Sequence, residues 1–307
     1  MDIKKTKIII DSSIGLTKEE AEKYSFGFIS LYIFNIKNHK NYRDDGVDIT
    51  REEFYNLIET TGLLTSQGNL FELKKLIQQY LEEGYENILI FPISKGISSF
   101  YNNIKILIKE NFNLNQVHVV DTNFVGIILF YLVVKVYQNI NYFQTFVDID
   151  NYISLFSKNN FALFIVQNMK WLKRGGRVSK TVAALTNILS IYPVLSLKNG
   201  KLDYWYKTRN KIKGIKKILN YLKLNGKKNN VPVKKLLVAV AKHDDNLINL
   251  VKKLINDVFE DDIKVYFSYM PCVILTHVGP EIIGFCSLVD DLFIDQDIMY
   301  FKENDFY

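Results

Sequence analysis

The chain is short of the residues that build staples, metal centres and membrane spans. It has two cysteines, Cys272 and Cys286, in 307 residues. They form no C-x-x-C pair, which excludes zinc ribbons and thioredoxin-like redox chemistry, and their scarcity fits a reducing compartment. The four histidines, His39, His118, His243 and His277, are scattered, and none has a second ligand at helical spacing. Five prolines and 15 glycines rule out collagen-like and Pro/Gly-rich disordered chains. The longest apolar run, Phe124 to Val134, is broken by Lys135. A membrane span needs about 20 such residues, so this run reads as a core helix. The first apolar run ends at Asp11 and reads as a strand, not a signal peptide. A cytoplasmic protein without a membrane span is expected.

Signatures of catalysis are missing too. Ser94–Tyr101 holds one glycine where a dinucleotide fingerprint needs three. In Arg174–Thr181 (RGGRVSKT) the two glycines of a phosphate-binding loop would have to fall on Arg174 and Ser179. There is no G-x-S-x-G, and no acidic residue stands out to orient His277. No cofactor, metal or catalytic residue is expected.

What is present is an alternation of apolar elements. Lys7–Asp11, Phe26–Phe34, Glu86–Ile93 and Gln116–Asp121 read as strands. Ile49–Ile58, Asn69–Glu83, Ser98–Lys109 and Phe124–Tyr137 read as helices, the first with a capping box of Thr50 and Glu53. Strand and helix in alternation imply a parallel sheet with crossover helices. The expected fold class is α/β with two domains, residues 1–150 and 151–307. In the second, Asn160–Val166, Leu236–Ala241 and Ile263–Ser268 read as strands, and Ser179–Leu189, Ile212–Leu224 and Asn246–Phe259 as helices. Tyr192–Leu197 and Leu202–Trp205 flank an Asn-Gly hairpin signal. Ile282–Cys286 is expected to close the sheet. The acidic, aromatic segment from about 287 is expected to form a tail that either caps the domain or pairs with an edge strand.

In α/β sheets ligands bind beyond the carboxyl ends of the strands. The segments there are Asp11-Ser12-Ser13, Thr65-Ser66-Gln67, Ser94 to Ser99 and Asp121-Thr122. All carry hydroxyls, and several open helices. They can be plain N-caps or parts of one anion site. Charge is also uneven. The net charge is +6, and Tyr204 to His243 holds no Asp or Glu but twelve Lys and Arg, among them Lys207 and Arg209. That is either a solvated helix face with a lysine-rich loop, a docking surface for an acidic partner, or a nucleic-acid surface, for which no recognisable RNA- or DNA-binding motif is present.

Taken in order, the motifs resemble the DegV family of bacterial fatty-acid-binding proteins, from Ile10 to about Phe285. They are IDSSIGLT, YRDDGVDITREEFYNLI, TSQ at Thr65–Gln67, ISKGISSFY at Ile93–Tyr101, VVDTNFVG at Val119–Gly126, MKWLKRGGRVSK at Met169–Lys180, YPVLSLKNGKL at Tyr192–Leu202 and HVGP at His277–Pro280. The resemblance implies an N-terminal parallel-sheet domain, a C-terminal domain with a mixed sheet, and a lipid tunnel between or along them. It implies one long-chain fatty acid whose carboxylate is held by Thr65, Ser66, Ser94, Ser98 and His277, with Ser94 and Ser98 equal candidates for the main contact. Lys95, where the family often has Ser, either pairs with that carboxylate or points to solvent. The implied role is non-enzymatic: the carrier presents its acid to an ATP-dependent fatty acid kinase and passes the acyl-phosphate onward, an acyltransferase being a further partner. Arg177, on a Gly-Gly turn that would project it, Lys207 and Arg209 are the expected docking residues; nucleic acid is not an expected partner. Gly68 replaces the family's usual Pro, and Ser99 its Gly. The alternatives kept open are a phosphotransferase or hydrolase using the hydroxyl-rich cleft, and a basic nucleic-acid-binding regulator.

Overall fold

The computed structural model describes residues 1–177, 191–198, 200–228, 233–260 and 263–289. The helix expected over Ser179–Leu189 and the segment from 290 onward lie outside the described residues. The chain divides into two compact units. The first is 1–155 with 271–276, and the second is 156–270 with 277–307.

The first unit is built on β1 (Thr6–Asp11), β2 (Gly27–Ile29), β6 (Asn87–Phe91) and β7 (Val117–Val119). They form a parallel sheet in the order β2-β1-β6-β7. β1 is continuously apolar because it is buried on both faces, with Ile8, Ile9 and Ile10 at most 1% exposed. Helices α1 (Lys18–Lys23), α2 (Arg51–Thr60), α3 (Leu70–Glu82), α4 (Phe100–Asn111), α5 (Ile127–Gln138) and α6 (Phe146–Asn159) connect and cover the strands. α2 starts at the capping box read from sequence: Thr50 Oγ1 accepts from Glu53 N (3.2 Å), and Glu53 Oε2 accepts from Thr50 N (2.8 Å). α5 is the long apolar run, buried all round from Ile127 to Val136, as a core helix must be.

The run Phe26–Phe34 is not one strand. It breaks at Ser30-Leu31 into β2 and β3 (Tyr32–Asn35), which lie in different sheets. The backbone of Leu31 is satisfied outside either ladder, its N–H donating to Ser12 Oγ (3.0 Å) and its carbonyl accepting from Asp44 N (2.9 Å). β3 then pairs antiparallel with β4 (Lys40–Arg43) and β5 (Leu63–Ser66). Both are short strands that the hydrophobic pattern does not announce.

The second unit holds a six-stranded mixed sheet in the order β10-β9-β8-β13-β11-β12. Its strands are β8 (Phe161–Ile165), β9 (Tyr192–Lys198), β10 (Lys201–Thr208), β11 (Val233–Val240), β12 (Lys264–Tyr269) and β13 (Ile283–Val289). β9 and β10 form the expected hairpin, with Gly200 at φ +75° in its turn. The expectation that Ile282–Cys286 closes the sheet is corrected. β13 lies in the middle, antiparallel to β8 and β11. All seven of its residues are buried, and a strand covered on both faces belongs between neighbours. The helices α8 (Lys211–Lys228) and α9 (Asp245–Phe259) give Ile215, Leu219, Leu222, Val251 and Ile255 to a core shared with Leu163, Val194, Val238 and Phe285. Two further helices are α7 (Met169–Gly175), before the Gly-Gly turn, and α10 (Cys272–Val278), which carries His277 in its last turn. At seven residues, α10 is too short to show a helical period in the sequence.

Candidate functional site

In the parallel sheet β1 sits between β2 and β6, so the chain reverses its direction of winding at the β1–β6 seam, the place where open α/β sheets bind ligands. The residues just past the strands there are polar and buried: Asp11, Ser12, Ser13, Ser94 and Thr122 are 0–2% exposed. Their hydrogen bonds cross between strand ends. Asp11 Oδ2 accepts from Ile93 N (2.7 Å), the residue before Ser94, while Asp11 Oδ1 accepts from Ser13 N (2.9 Å). Ser13 O accepts from Gly126 N (2.7 Å) at the start of α5.

The chain just after Thr65-Ser66 packs against α4, the helix that follows Ser94–Ser98. Gln67, after β5, accepts through Oε1 from Asn103 Nδ2 of α4 (2.6 Å). Gly68 is wedged in, since a Cβ there would lie 2.8 Å from Phe100 Cζ, 2.5 Å from Ile29 Cγ2 and 3.2 Å from Ser30 O. Any side chain there would require Ile29 and Phe100 to shift.

Thr65 and Ser66 do not face the same way. Successive strand residues point to opposite sides. Thr65 pairs with Ile33 and shares its face with Leu63, and both of these neighbours are buried. Ser66 pairs with Tyr32 and is exposed. Of the two, Thr65 is on the inner face. Ser94 is 1% exposed, and its hydroxyl accepts from Gly96 N (3.2 Å) while its carbonyl accepts from Ile97 and Ser98 N (both 3.2 Å). Ser98 accepts from Phe100 N (3.2 Å), the first residue of α4, so it does the work of a helix cap. A hydroxyl used as acceptor still has its own proton to donate. Lys95 is paired with Asp121 and lies 5.9 Å from the Tyr101 ring; its pKa is raised chiefly by its hydrogen bond to Asp121. A ligand carboxylate would have to compete with Asp121 for it.

Burial also shifts acids in this unit. The Asp11 carboxyl is pushed up to about 6 by burial, partly offset by its hydrogen bonds from Ser13 and Ile93. Asp44 is pushed up to about 7 by burial, offset in part by its bond from Val273 N (3.3 Å) and by nearby Arg51. Asp44 thereby caps the first turn of α10, whose residues up to Thr276 belong to this unit.

In the second unit His277 sits against the Gly-Gly turn. Gly175 has no room for a side chain, a Cβ there lying 2.9–3.0 Å from His277 backbone and Cβ atoms. Gly176 takes φ +65°, the left-handed residue that ends α7. Arg177 is exposed, and its Nη1 donates back to the Gly175 carbonyl (2.9 Å). The His277 ring is also hydrogen-bonded to the Gly175 backbone, and burial first, then Arg177 and Arg174, lower its pKa to about 4. At neutral pH His277 is an uncharged hydrogen-bonding group, and positive potential beside it comes from the two arginines. Lys207 and Arg209 lie elsewhere, exposed on and just past the edge strand β10. On α8, Lys216 and Lys223 are answered by Asp257 (3.3 Å) and Glu260 (2.9 Å), so part of the basic stretch is already neutralised within the unit.

A pH prediction follows from His277. Its native pKa of about 4 lies below the ordinary value of 6.5, so the unfolded chain takes up the proton first as pH falls. The stability that the neutral ring retains above pH 6.5 is therefore lost between 6.5 and 4, by at most about 3 kcal/mol at ~1.4 kcal/mol per unit. Asp11 and Asp44, with raised values, act in the opposite sense, and their effect is common to wild type and variant. Denaturant unfolding at pH 7, 5.5 and 4.5 should show a shallower acid loss for His277→Gln than for wild type. Parallel pH profiles would remove His277 from this account.

The order of these segments along the chain matches a known family. A model of the DegV family, described as one of uncharacterised proteins, matches residues 5–290. The chain belongs to the DegV family. Over 299 residues it is 27% identical to a DegV domain-containing protein of Mycoplasmopsis pulmonis, covering 97% of this chain and 100% of that one. Over 291 residues it is 29% identical to a fatty acid-binding protein of Thermotoga maritima, covering 92% and 96%. A stearic acid-binding protein from Eubacterium ventriosum shares the fold, with a TM-score of 0.79 at 23% identity over 92% of this chain and 98% of its own. The DegV fold, a parallel-sheet unit followed by a mixed-sheet unit, is thus the fold of this chain. Among the described residues no helix is long and apolar enough to cross a membrane, and no group of three His, Cys, Asp or Glu could hold a metal ion.

Within this DegV chain, residue pattern did not reveal three features of the site. The Gln67–Asn103 bond joins residues 36 apart in sequence, and nothing in the sequence pairs them. Arg174 stood in the sequence only within the MKWLKRGGRVSK segment, with no sign that it lies beside His277. The split between Thr65 and Ser66 needed the strand β5 to be recognised first.

Proposed function

We propose that this DegV protein binds one long-chain fatty acid and presents its carboxylate to an ATP-dependent fatty acid kinase, without itself catalysing the transfer. The observation that carries this reading is the bond that ties Gln67, two residues after Thr65, to Asn103 on α4, the helix that follows Ser94–Ser98, together with 29% identity over nearly the whole chain to a fatty acid-binding protein. Thr65, Ser94 and Ser98 are the proposed hydroxyl donors, Ser98 also using the open N-terminus of α4. His277 is proposed as a further neutral partner of the carboxylate, on the match of His277–Pro280 to the family motif. Ser66 and Lys95 are weaker members of the set, the first for its outward face, the second for its partner Asp121.

The chemistry suits such a ligand. Each buried CH₂ contributes about 0.8 kcal/mol, so a long acyl chain supplies ample affinity. A buried carboxylate needs hydrogen-bond donors to offset desolvation. Hydroxyls and a neutral imidazole provide them while leaving carboxylate oxygens to react at a second protein's ATP. Lys207 and Arg209, exposed at a sheet edge, are the proposed docking residues for that protein, with Arg177 shared between docking and the surroundings of His277. An acyltransferase would receive the acyl-phosphate. The expected setting is the cytoplasm, with neither cofactor nor nucleic acid involved.

Titration with a fluorescent long-chain fatty acid, competed by palmitate and by hexadecanol, tests this. Palmitate should displace the probe at least 100-fold better than the alcohol, and the protein alone with ATP should form no acyl-phosphate. Equal competition would mean that no carboxylate site exists.

A further inference from the structure

We propose that Asp11 is the positioning residue of the carboxylate site, holding the Ser94 segment in place without touching the ligand; this rests on the fatty acid reading above. The segment Asp11-Ser12-Ser13 was a candidate for direct ligand contact by its place after β1. The structure gives it another task. Its three residues bond to the loops after each of the other three strands of the parallel sheet. Ser12 Oγ accepts from Leu31 N (3.0 Å) beyond β2, Asp11 Oδ2 accepts from Ile93 N (2.7 Å) beyond β6, and Ser13 O accepts from Gly126 N (2.7 Å) beyond β7.

Only the Asp11 bond is made by a carboxylate. Its two oxygens are divided between its own turn, through Ser13 N (2.9 Å), and the neighbouring loop, through Ile93 N. Ile93 is followed directly by Ser94, whose hydroxyl and carbonyl organise the turn leading to Ser98 and α4. The carboxylate therefore fixes the backbone from which both candidate serines project. Asp11 is 2% exposed, and burial without a cationic partner raises its pKa to about 6. The charged form is thus disfavoured by its surroundings and is kept at neutral pH against them. A core position selected for stability alone gains nothing from such a group, whereas charged acceptors make the stronger hydrogen bonds, and a site that must hold a serine within a fraction of an ångström uses one.

The test compares wild type, Asp11→Asn, Ser94→Ala and the double variant by titration with fluorescent palmitate analogue, with circular dichroism and thermal unfolding as fold controls. Asp11→Asn keeps the shape, loses one acceptor, and should retain wild-type circular dichroism and a thermal midpoint no lower than wild type. Its affinity should fall at least tenfold, and the losses of Asp11→Asn and Ser94→Ala should be less than additive in the double variant, because Asp11 acts through the segment that carries Ser94 and Ser98. Unchanged affinity in Asp11→Asn, or fully additive losses, would overturn the proposal while leaving fatty acid binding by wild type intact. Absence of binding by wild type would overturn both. Should Asp11→Asn not fold, hydrogen exchange on wild type decides the matter. By reciprocity the ligand must tighten the clamp, so exchange at the Ile93 and Ser13 amides should slow on adding palmitate; unchanged exchange there would overturn the proposal.

Discussion

Replacing Thr65 by Val and His277 by Ala together is expected to weaken fatty acid binding by about 10²–10⁴-fold while the fold persists. A hydrogen bond to a charged group is worth about 1.5–3 kcal/mol, and two of them correspond to that range at ~1.4 kcal/mol per tenfold. Thr65→Val keeps the β-branched shape that suits β5 and removes only the hydroxyl on its inner face. His277→Ala removes a half-buried ring next to Gly175, so its own loss of stability must be measured beside its loss of affinity. The single variants complete a double-mutant cycle. If both groups hold one carboxylate, the two losses should couple by more than about 0.5 kcal/mol. Additive losses would place His277 on another part of the ligand, and unchanged affinity in a folded protein would remove both from the site.

The second large effect concerns the kinase. Lys207→Glu with Arg209→Glu should abolish acyl-phosphate formation with the cognate kinase and leave direct fatty acid binding unchanged. Both side chains are exposed at the edge strand β10, and reversing two charges replaces attraction to an acidic partner by repulsion. Arg177→Glu should behave differently. Arg177 is bonded to the Gly175 carbonyl and lowers the pKa of His277, so its reversal should weaken fatty acid binding as well as acyl-phosphate formation. Single-turnover assays at saturating fatty acid separate the two effects. Normal acyl-phosphate formation by Lys207→Glu with Arg209→Glu would leave the basic edge as a solvated surface.

Elements with a strong period were legible in the sequence. β1, α2 with its capping box, α3, α9 and the β9–β10 hairpin needed only local rules. What local rules missed was decided by contacts distant in sequence. The run Phe26–Phe34 is apolar throughout, and it is the bonds of Leu31 to Ser12 and Asp44 that divide it between two sheets. β13 looks like any terminal strand until its burial on both faces puts it at the centre of the mixed sheet. The return of Pro271–Thr276 to the first unit is likewise invisible in composition. At the candidate site, the family motifs named residues, and the structure gives their local partners. Thr65 and Ser66 are adjacent in sequence and opposed across the strand. Ser98 caps a helix, Lys95 is taken by Asp121, and Arg177, while exposed, is bonded to the Gly175 carbonyl. Each of these depends on where a second chain segment lies, which spacing along one segment cannot report.

The central claim is that the protein is a fatty acid carrier, and the most direct measurement is of what it carries when purified. A ligand present well above its dissociation constant occupies the native protein by mass action, and a cell making lipids supplies long-chain fatty acids continuously. Native mass spectrometry, followed by organic extraction and identification of the extracted molecule, should find one long-chain fatty acid per chain. A protein that emerges free of lipid and takes none up from palmitate-containing buffer, or that carries a nucleotide instead, would contradict the account.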